Sequence, residues 1–255
     1  MKIVKVKNLS KEYKGKVSHT ALLNIDLTIT EGEFVGIMGP SGRGKTTLLN
    51  MVSTIDSPTS GSVFIHNKNP YQLSPNDLSL FRRQELGFVF QSFNLLRTLT
   101  VKENMVLPLV LDGMNVKRIN KRVESISNKL GINEILNKRT YEISGGQAQR
   151  TAIAPIHSPK LVLADEPTGN LDSKASQDVM EILIRLNKEE KATMMLVTHD
   201  LVAASFCNRI IFIKDGQLYN EVCYNDDRPL FYKNIMESLS MLGGDKHDFS
   251  TARIQ

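Results

Sequence analysis

The run Gly39-Pro40-Ser41-Gly42-Arg43-Gly44-Lys45-Thr46 has the G-x-x-x-x-G-K-[ST] spacing of a phosphate-binding loop. Glycines in such a loop let successive backbone N–H groups turn inward around phosphate oxygens, and a following helix adds positive partial charge at its N-terminus. Lys45 is placed to reach β- and γ-phosphates, and the hydroxyl of Thr46, with Thr47 behind it, to meet Mg²⁺ and phosphate. That chemistry needs a strand before the loop and a helix after it. Phe34-Val35-Gly36-Ile37-Met38 predicts the buried strand, and Thr46-Thr47-Leu48-Leu49-Asn50-Met51-Val52 the helix. The competing reading, a Gly-rich turn that matches by accident, does not account for both flanks. Binding of a nucleoside triphosphate is the expectation.

Other residues fit the same chemistry at other strand ends. Leu161-Val162-Leu163-Ala164 reads as a buried strand that delivers Asp165, placed to hold a Mg²⁺ shell, and Glu166, placed to polarise a water. Leu86 to Phe90 reads as a strand ending at Gln91, where an amide could ligate Mg²⁺ or hold a water, although a surface glutamine is the commoner case. Thr193 to Val197 leads to Thr198-His199-Asp200. A lone loop histidine is usually structural, but this one sits at a third strand end on the presumed catalytic edge. Ser144-Gly145-Gly146-Gln147 opens the helix Ala148 to Ala154, so its free N–H groups make a second anion site. Taken alone it would be a helix cap. Tyr13, read as lying on a loop Lys11 to Gly15, offers a flat face for an adenine ring.

The elements that must position these groups follow an α/β pattern. Ile3-Val4-Val6 and Leu22 to Ile29 predict strands, Ser60-Gly61 a turn, and Val63-Phe64-Ile65 another strand. Leu78 to Glu85 has helical spacing. Leu95 to Arg139 is expected to be largely helical, with Ile119, Val123, Ile126 and Leu130 on one face and Gly131 as C-terminal cap. Ser173 to Asn187 and Leu201 to Cys207 predict helices. Arg209 to Lys214 and Gln217 to Glu221 flank an Asp215-Gly216 hairpin turn. Leu230 to Leu242 is expected to be helical, with a frayed last dozen residues.

Bulk properties suit one large α/β domain or a main domain with a smaller lobe. The chain has 255 residues, 41% hydrophobic and 23% charged, with net charge +5, a balance ordinary for a soluble protein. No run is long enough to span a bilayer, and the N-terminus lacks the apolar core of a signal peptide. Cys207 and Cys223 form neither a metal-binding pattern nor a disulfide framework, so a reducing, cytosolic setting is expected. The positive charge would suit an anionic membrane surface or nucleic acid, or a merely solvated Lys-rich surface.

In this order and spacing the motifs resemble one family, the ATP-binding subunits of ABC transporters, along nearly the whole chain. The resemblance implies a P-loop NTPase core, with a mixed sheet flanked by helices and an antiparallel β-subdomain, and a helical lobe carrying the signature motif. Residues 1–90 and 160–222 would form the core and β-subdomain, 91–159 the lobe, and 223–255 a C-terminal extension. It assigns adenine stacking to Tyr13, Walker A to Gly39 through Thr46, the Q-loop to Gln91 and the signature to Ser144-Gly145-Gly146-Gln147. Asp165 becomes Walker B, Glu166 the catalytic base, Asp172 part of the D-loop and His199 the switch histidine. ATP and Mg²⁺ are the implied ligands. Two copies would pack head to tail around ATP, and a membrane-spanning permease would be the partner at the cytoplasmic face of the membrane, in a bacterium, with no nucleic acid involved. Ala164 to Asp172 looks like the group serving lipoprotein release, macrolide export and cell division. Phe93-Asn94-Leu95-Leu96, Leu99 to Asn104, Val202 to Ser205, Phe212 to Gly216 and Leu242-Gly243-Gly244 point to the bacitracin-type peptide-antibiotic resistance branch.

Two departures stand out. Arg43 fills a Walker A position that is usually small, and its guanidinium is expected to point to solvent. Thr151-Ala152-Ile153-Ala154-Pro155-Ile156-His157-Ser158-Pro159 is shorter than in relatives, with Pro155 in place of an Arg-Ala region. A proline inside a helix costs about 3 kcal/mol, so the signature helix should end or kink near Ala154. The alternative function is an ATP-binding sensory or interaction subunit with weak hydrolysis, or a lipoprotein-release or cell-division ATPase. Intact Lys45, Asp165, Glu166 and His199 favour active hydrolysis. A soluble DNA-repair relative would need a long coiled-coil insertion that is not here.

Overall fold

A computed structural model describes residues 1–154 and 159–242. The chain forms two compact units, Met1–Leu73 with the chain from Met195 onward, and Ser74–Met194.

The first unit opens with β1 (Lys2–Tyr13) and β2 (His19–Thr30), then β3 (Phe34–Met38), α1 (Lys45–Val52) and β4 (Ser60–Ile65). Strands β2, β1 and β4 form a three-stranded antiparallel sheet in that order. Alternation gives it one buried face, with Val4, Val6, Leu9, Leu22, Ile25 and Ile29 almost fully buried. Strand β1 extends to Tyr13, so the expected loop around Lys11 is strand, paired as Lys11↔Leu22 and Tyr13↔His19. Ser60-Gly61 likewise lies in β4 rather than in a turn. Gly61 has φ +85°, and a Cβ there would stand 2.3 Å from the Asn8 carbonyl oxygen, so the close approach of β1 requires glycine.

After β7 (Thr193–Val197), which is buried throughout and carries the chain out of the second unit, come α7 (Leu201–Ala204), β8 (Arg209–Lys214), β9 (Gln217–Cys223) and α8 (Arg228–Leu242). Strand β3 runs parallel to β8, with Ile37 opposite Ile211, and β9 returns antiparallel. The sheet is therefore mixed. All of β3 is buried, as its unbroken apolar run requires. Asp215 and Gly216 both have positive φ, the geometry of a two-residue hairpin turn. Arg209, at the start of β8, pairs with largely buried Glu33, with exposed Glu221 and with the Thr28 carbonyl. Burial works against that guanidinium's charge, but the Glu221 and Glu33 carboxylates outweigh it and hold its pKa above the ordinary value.

The second unit holds α2 (Pro75–Glu85), β5 (Leu86–Phe90), α3 (Val101–Leu111), α4 (Val116–Leu130), α5 (Gly145–Ile153), β6 (Leu161–Asp165) and α6 (Ser173–Glu190). Strands β5 and β6 pair in parallel, Phe90 opposite Asp165. Thr100 and Glu103 close a capping box on α3. Ile119, Val123 and Leu130 bury the inner face of α4, whose C-cap Gly131 has φ +62°. Helix α5 stops at Ile153 with Ala154 as C-cap, where the sequence calls for an end. Expectations that concern Pro155 to Ser158 or the chain beyond Leu242 lie outside the described residues.

Candidate functional site

In the first unit two glycines of the loop between β3 and α1, Gly39 and Gly44, leave no room for a side chain, while Gly42 at the apex has positive φ and open space around it. Gly39 has φ +145° and a Cβ there would stand 2.1 Å from the Ile213 carbonyl oxygen. Gly44 has φ +101° and would place one 2.5 Å from that of Ala21. Gly44 is also the N-cap of α1, and no side chain caps the helix. Its first-turn N–H groups carry the positive end of the helix dipole. Lys45 is 9% exposed and curls back over the loop, its Nζ donating to the carbonyls of Gly39 and Pro40 at 2.9 Å each. The ammonium thus bonds backbone carbonyls of the loop itself. A phosphate oxygen, itself negatively charged, would add ion-pair attraction to the hydrogen bond. Ser41 and Gly42 form the exposed apex, with Thr46 and Thr47 in the first turn of α1. Arg43 does not simply point to solvent: its half-exposed guanidinium pairs with Asp215 in the β8–β9 turn.

Tyr13 ends β1, 41% exposed. Its hydroxyl donates to Asp56 Oδ2 at 3.0 Å, and the Lys11 ammonium lies 4.8 Å from its ring centre. Lys11 also donates to Asp56 Oδ1 at 2.8 Å. Burial pushes the Tyr13 hydroxyl's pKa up and Asp56 adds to the rise, with Thr47 opposing. Burial raises Asp56 too, but its bonds to Lys11, Ser57 and Tyr13 outweigh this and keep its carboxyl below the usual range. The ring is thus held by its hydroxyl and by the Lys11 ammonium over it. His199 follows β7 and is exposed. Buried Thr198 beside it donates its N–H to the Ile37 carbonyl and accepts the Asp200 N–H, which sets the turn.

In the second unit, the parallel ends of β5 and β6 bring Gln91, Asp165 and Glu166 onto adjoining exits from the sheet. Glu166 has φ +46°, a left-handed backbone rarely adopted outside glycine and asparagine. Such strain persists where the surroundings enforce it, and it collects at functional sites. The Gly169 N–H donates to the Glu166 carbonyl at 3.0 Å, closing the turn. Gln91 Nε2 donates to Asn170 Oδ1 at 3.3 Å, and Asn170 Nδ2 donates to the Gln91 carbonyl at 3.0 Å. Sequence reasoning did not single out Asn170. Nor did it single out Gln149, fully buried in α5, whose Nε2 donates to the carbonyls of Phe90 (3.2 Å) and Pro167 (2.8 Å). Gln147, Gln149 and Arg150 are residue types common on an exposed helix face, and residue type alone cannot reveal the burial.

Ser144 caps α5 in a capping box: its hydroxyl accepts the Gln147 N–H while Gln147 Oε1 accepts the Ser144 N–H. Both side chains are thereby turned onto their own helix, and what remains presented is backbone. A Cβ at Gly146 would stand 2.8 Å from that of Ala175, and one at Gly145 3.3 Å from Leu171. The glycines let α5 press against Leu171 just before α6 and against the first turn of α6. The Asp172 carboxylate caps α6 through the Ala175 N–H at 2.9 Å. Ser144, Gly146, Arg150, Asp172, Lys174, Ala175 and Asp178 line a concavity of about 140 Å³. A larger cavity, about 660 Å³, lies among Ile126, Leu130, Ile182 and Leu186 and includes none of the motif residues.

The sequence model of the ABC transporter family matches residues 22–169, more than half of the chain. The ABC transporter ATP-binding protein YxdL of Bacillus subtilis is 54% identical over 254 residues, 99% of this chain and 99% of that one. The bacitracin export ATP-binding protein BceA of Halalkalibacterium halodurans is 46% identical, across 97% of this chain and all of its own. Among solved structures, a dimeric post-hydrolysis state of the ATP-binding cassette MJ0796 of Methanocaldococcus jannaschii, bound to ADP and Pi, superposes with TM-score 0.82 at 42% identity. It covers 88% of this chain and 100% of that one.

Proposed function

We propose a function that starts from kinship: the chain belongs to the ABC transporter family, as an ATP-binding subunit and an ATPase. In our reading it powers a membrane-spanning permease that exports, or confers resistance to, peptide antibiotics. The 46% identity to a bacitracin export protein supports that substrate class. The observation that carries the nucleotide reading is Lys45, held over a loop whose glycines leave only backbone to meet phosphate.

The roles follow from the chemistry of each group. The Lys45 ammonium and the α1 N-terminus bind the phosphates, and Tyr13 stacks on the base. Glu166 takes a proton from the attacking water and orients it, while His199 holds the water and the phosphate in register. Thr46, Gln91 and Asp165 offer hydroxyl, amide and carboxylate oxygens, the hard donors that suit Mg²⁺. When bound, that ion neutralises charge on the phosphates. No cluster of three His, Cys, Asp or Glu residues suited to a metal occurs among the described residues, so phosphate and water would supply much of its shell.

The concavity at Ser144 and Gly146 has the composition of a second phosphate contact, supplied to a nucleotide that a second copy of the chain holds. The dimeric state of the MJ0796 cassette supports the pairing of two copies. No helix among the described residues is long and apolar enough to cross a membrane. The helical lobe exposes Val110 (56%), Leu111 (60%) and Tyr141 (76%), apolar surface suited to a permease at the cytoplasmic face of the membrane. Steady-state hydrolysis, measured with and without the permease, tests the reading. Glu166→Gln should bind ATP as the parent does and lose turnover, because an amide keeps the shape but cannot take the proton. Hydrolysis at the parental rate would overturn the assignment.

A further inference from the structure

We infer that Gln149 is a positioning residue for hydrolysis. Its buried amide ties the loop carrying Gln91 and the loop carrying Glu166 to the helix that presents Ser144-Gly145-Gly146. The Phe90 carbonyl immediately precedes Gln91, and the Pro167 carbonyl immediately follows Glu166. Both accept from one nitrogen, Gln149 Nε2, at 3.2 and 2.8 Å. Because both partners are acceptors, the amide's orientation is dictated by chemistry. Its oxygen is then left buried with no hydrogen-bond partner among the described residues. An unsatisfied buried acceptor is unfavourable, and an aliphatic side chain of the same shape would avoid it. Packing alone therefore does not explain an amide at this position, whereas the need to hold two carbonyls at once does.

The same helix end packs on the residues before α6 through Gly145 on Leu171, and on the first turn of α6 through Gly146 on Ala175. Gln91 and Asn170 bond each other reciprocally. A displacement at the start of α5 is thus carried to both exits by a single side chain. The inference rests on Glu166 and Gln91 acting as described above, and its test includes a readout that does not assume those roles.

That test is Gln149→Met, which keeps the length and removes both donors together with the orphaned oxygen. We expect the thermal midpoint and the KM for ATP to stay near the parent values. We expect kcat to fall about ten-fold or more, the scale on which slight misplacement of a reacting group tells. Hydrogen exchange should quicken together at Phe93 and Asn94 on one side and at Gly169 and Leu171 on the other. Unchanged exchange at either loop would overturn the clamp. Faster exchange with parental kcat would overturn its role in hydrolysis. Loss of turnover in step with a fallen midpoint would make Gln149 a packing residue, and so would failure of both Gln149→Met and Gln149→Asn to fold. The exchange result stands whatever Glu166→Gln does, so failure of the clamp is distinguishable from failure of the base assignment.

Discussion

At the residue scale, charge and backbone freedom decide most. Lys45 is held by two carbonyls and has little exposed surface, so its ammonium is already over the loop before phosphate arrives. Lys45→Ala should weaken ATP binding by about ten-fold or more, the worth of one charge-assisted hydrogen bond. Undiminished affinity in a nucleotide titration would contradict the phosphate role. Gly146 poses a steric question instead. A methyl there would stand 2.8 Å from the Ala175 side chain. Gly146→Ala should therefore destabilise the second unit by about 1–3 kcal/mol, the usual range for overpacking. A melting curve checks this, and an unchanged midpoint would mean that α5 and α6 part easily. The glycines of the loop and the carboxylates at the strand end were legible because their types and spacing are the chemistry. The left-handed backbone of Glu166 was not, since nothing in a glutamate announces φ +46°.

At the scale of elements, legibility followed periodicity. Buried strands such as β3 and β6 read clearly as short apolar runs, and Asp215-Gly216 identified its hairpin by turn chemistry. The end of β1 was misread because Lys11-Glu12-Tyr13 has no apolar alternation. The pairing with β2, together with the Lys11–Asp56 bond, supplies there what the side-chain pattern lacks. Gly61 was misread for the converse reason, since a glycine that usually marks a turn serves here to let β1 approach. The Arg209 network was also invisible, because its partners lie far apart in sequence. Arg209→Ala would leave Glu33 largely buried without its cation, and should cost about 3 kcal/mol by denaturant titration. A loss under about 0.5 kcal/mol would put the pair among solvated ion pairs that contribute little.

At the scale of the whole molecule, the division into two units matters most. The phosphate-binding loop, Tyr13 and His199 belong to one unit, while Gln91, Asp165, Glu166 and the signature belong to the other. The resemblance anticipated a core and a lobe. What it implied at the level of the assembly, two copies closing on ATP, is the central claim of this account. The most direct measurement is sedimentation velocity on Glu166→Gln, with ATP and Mg²⁺ in one sample and ADP and Mg²⁺ in the other. Without a base the bound ATP should persist, so the account predicts a dimer in ATP and a monomer in ADP. A monomer in both, with ATP bound at saturation, would contradict it.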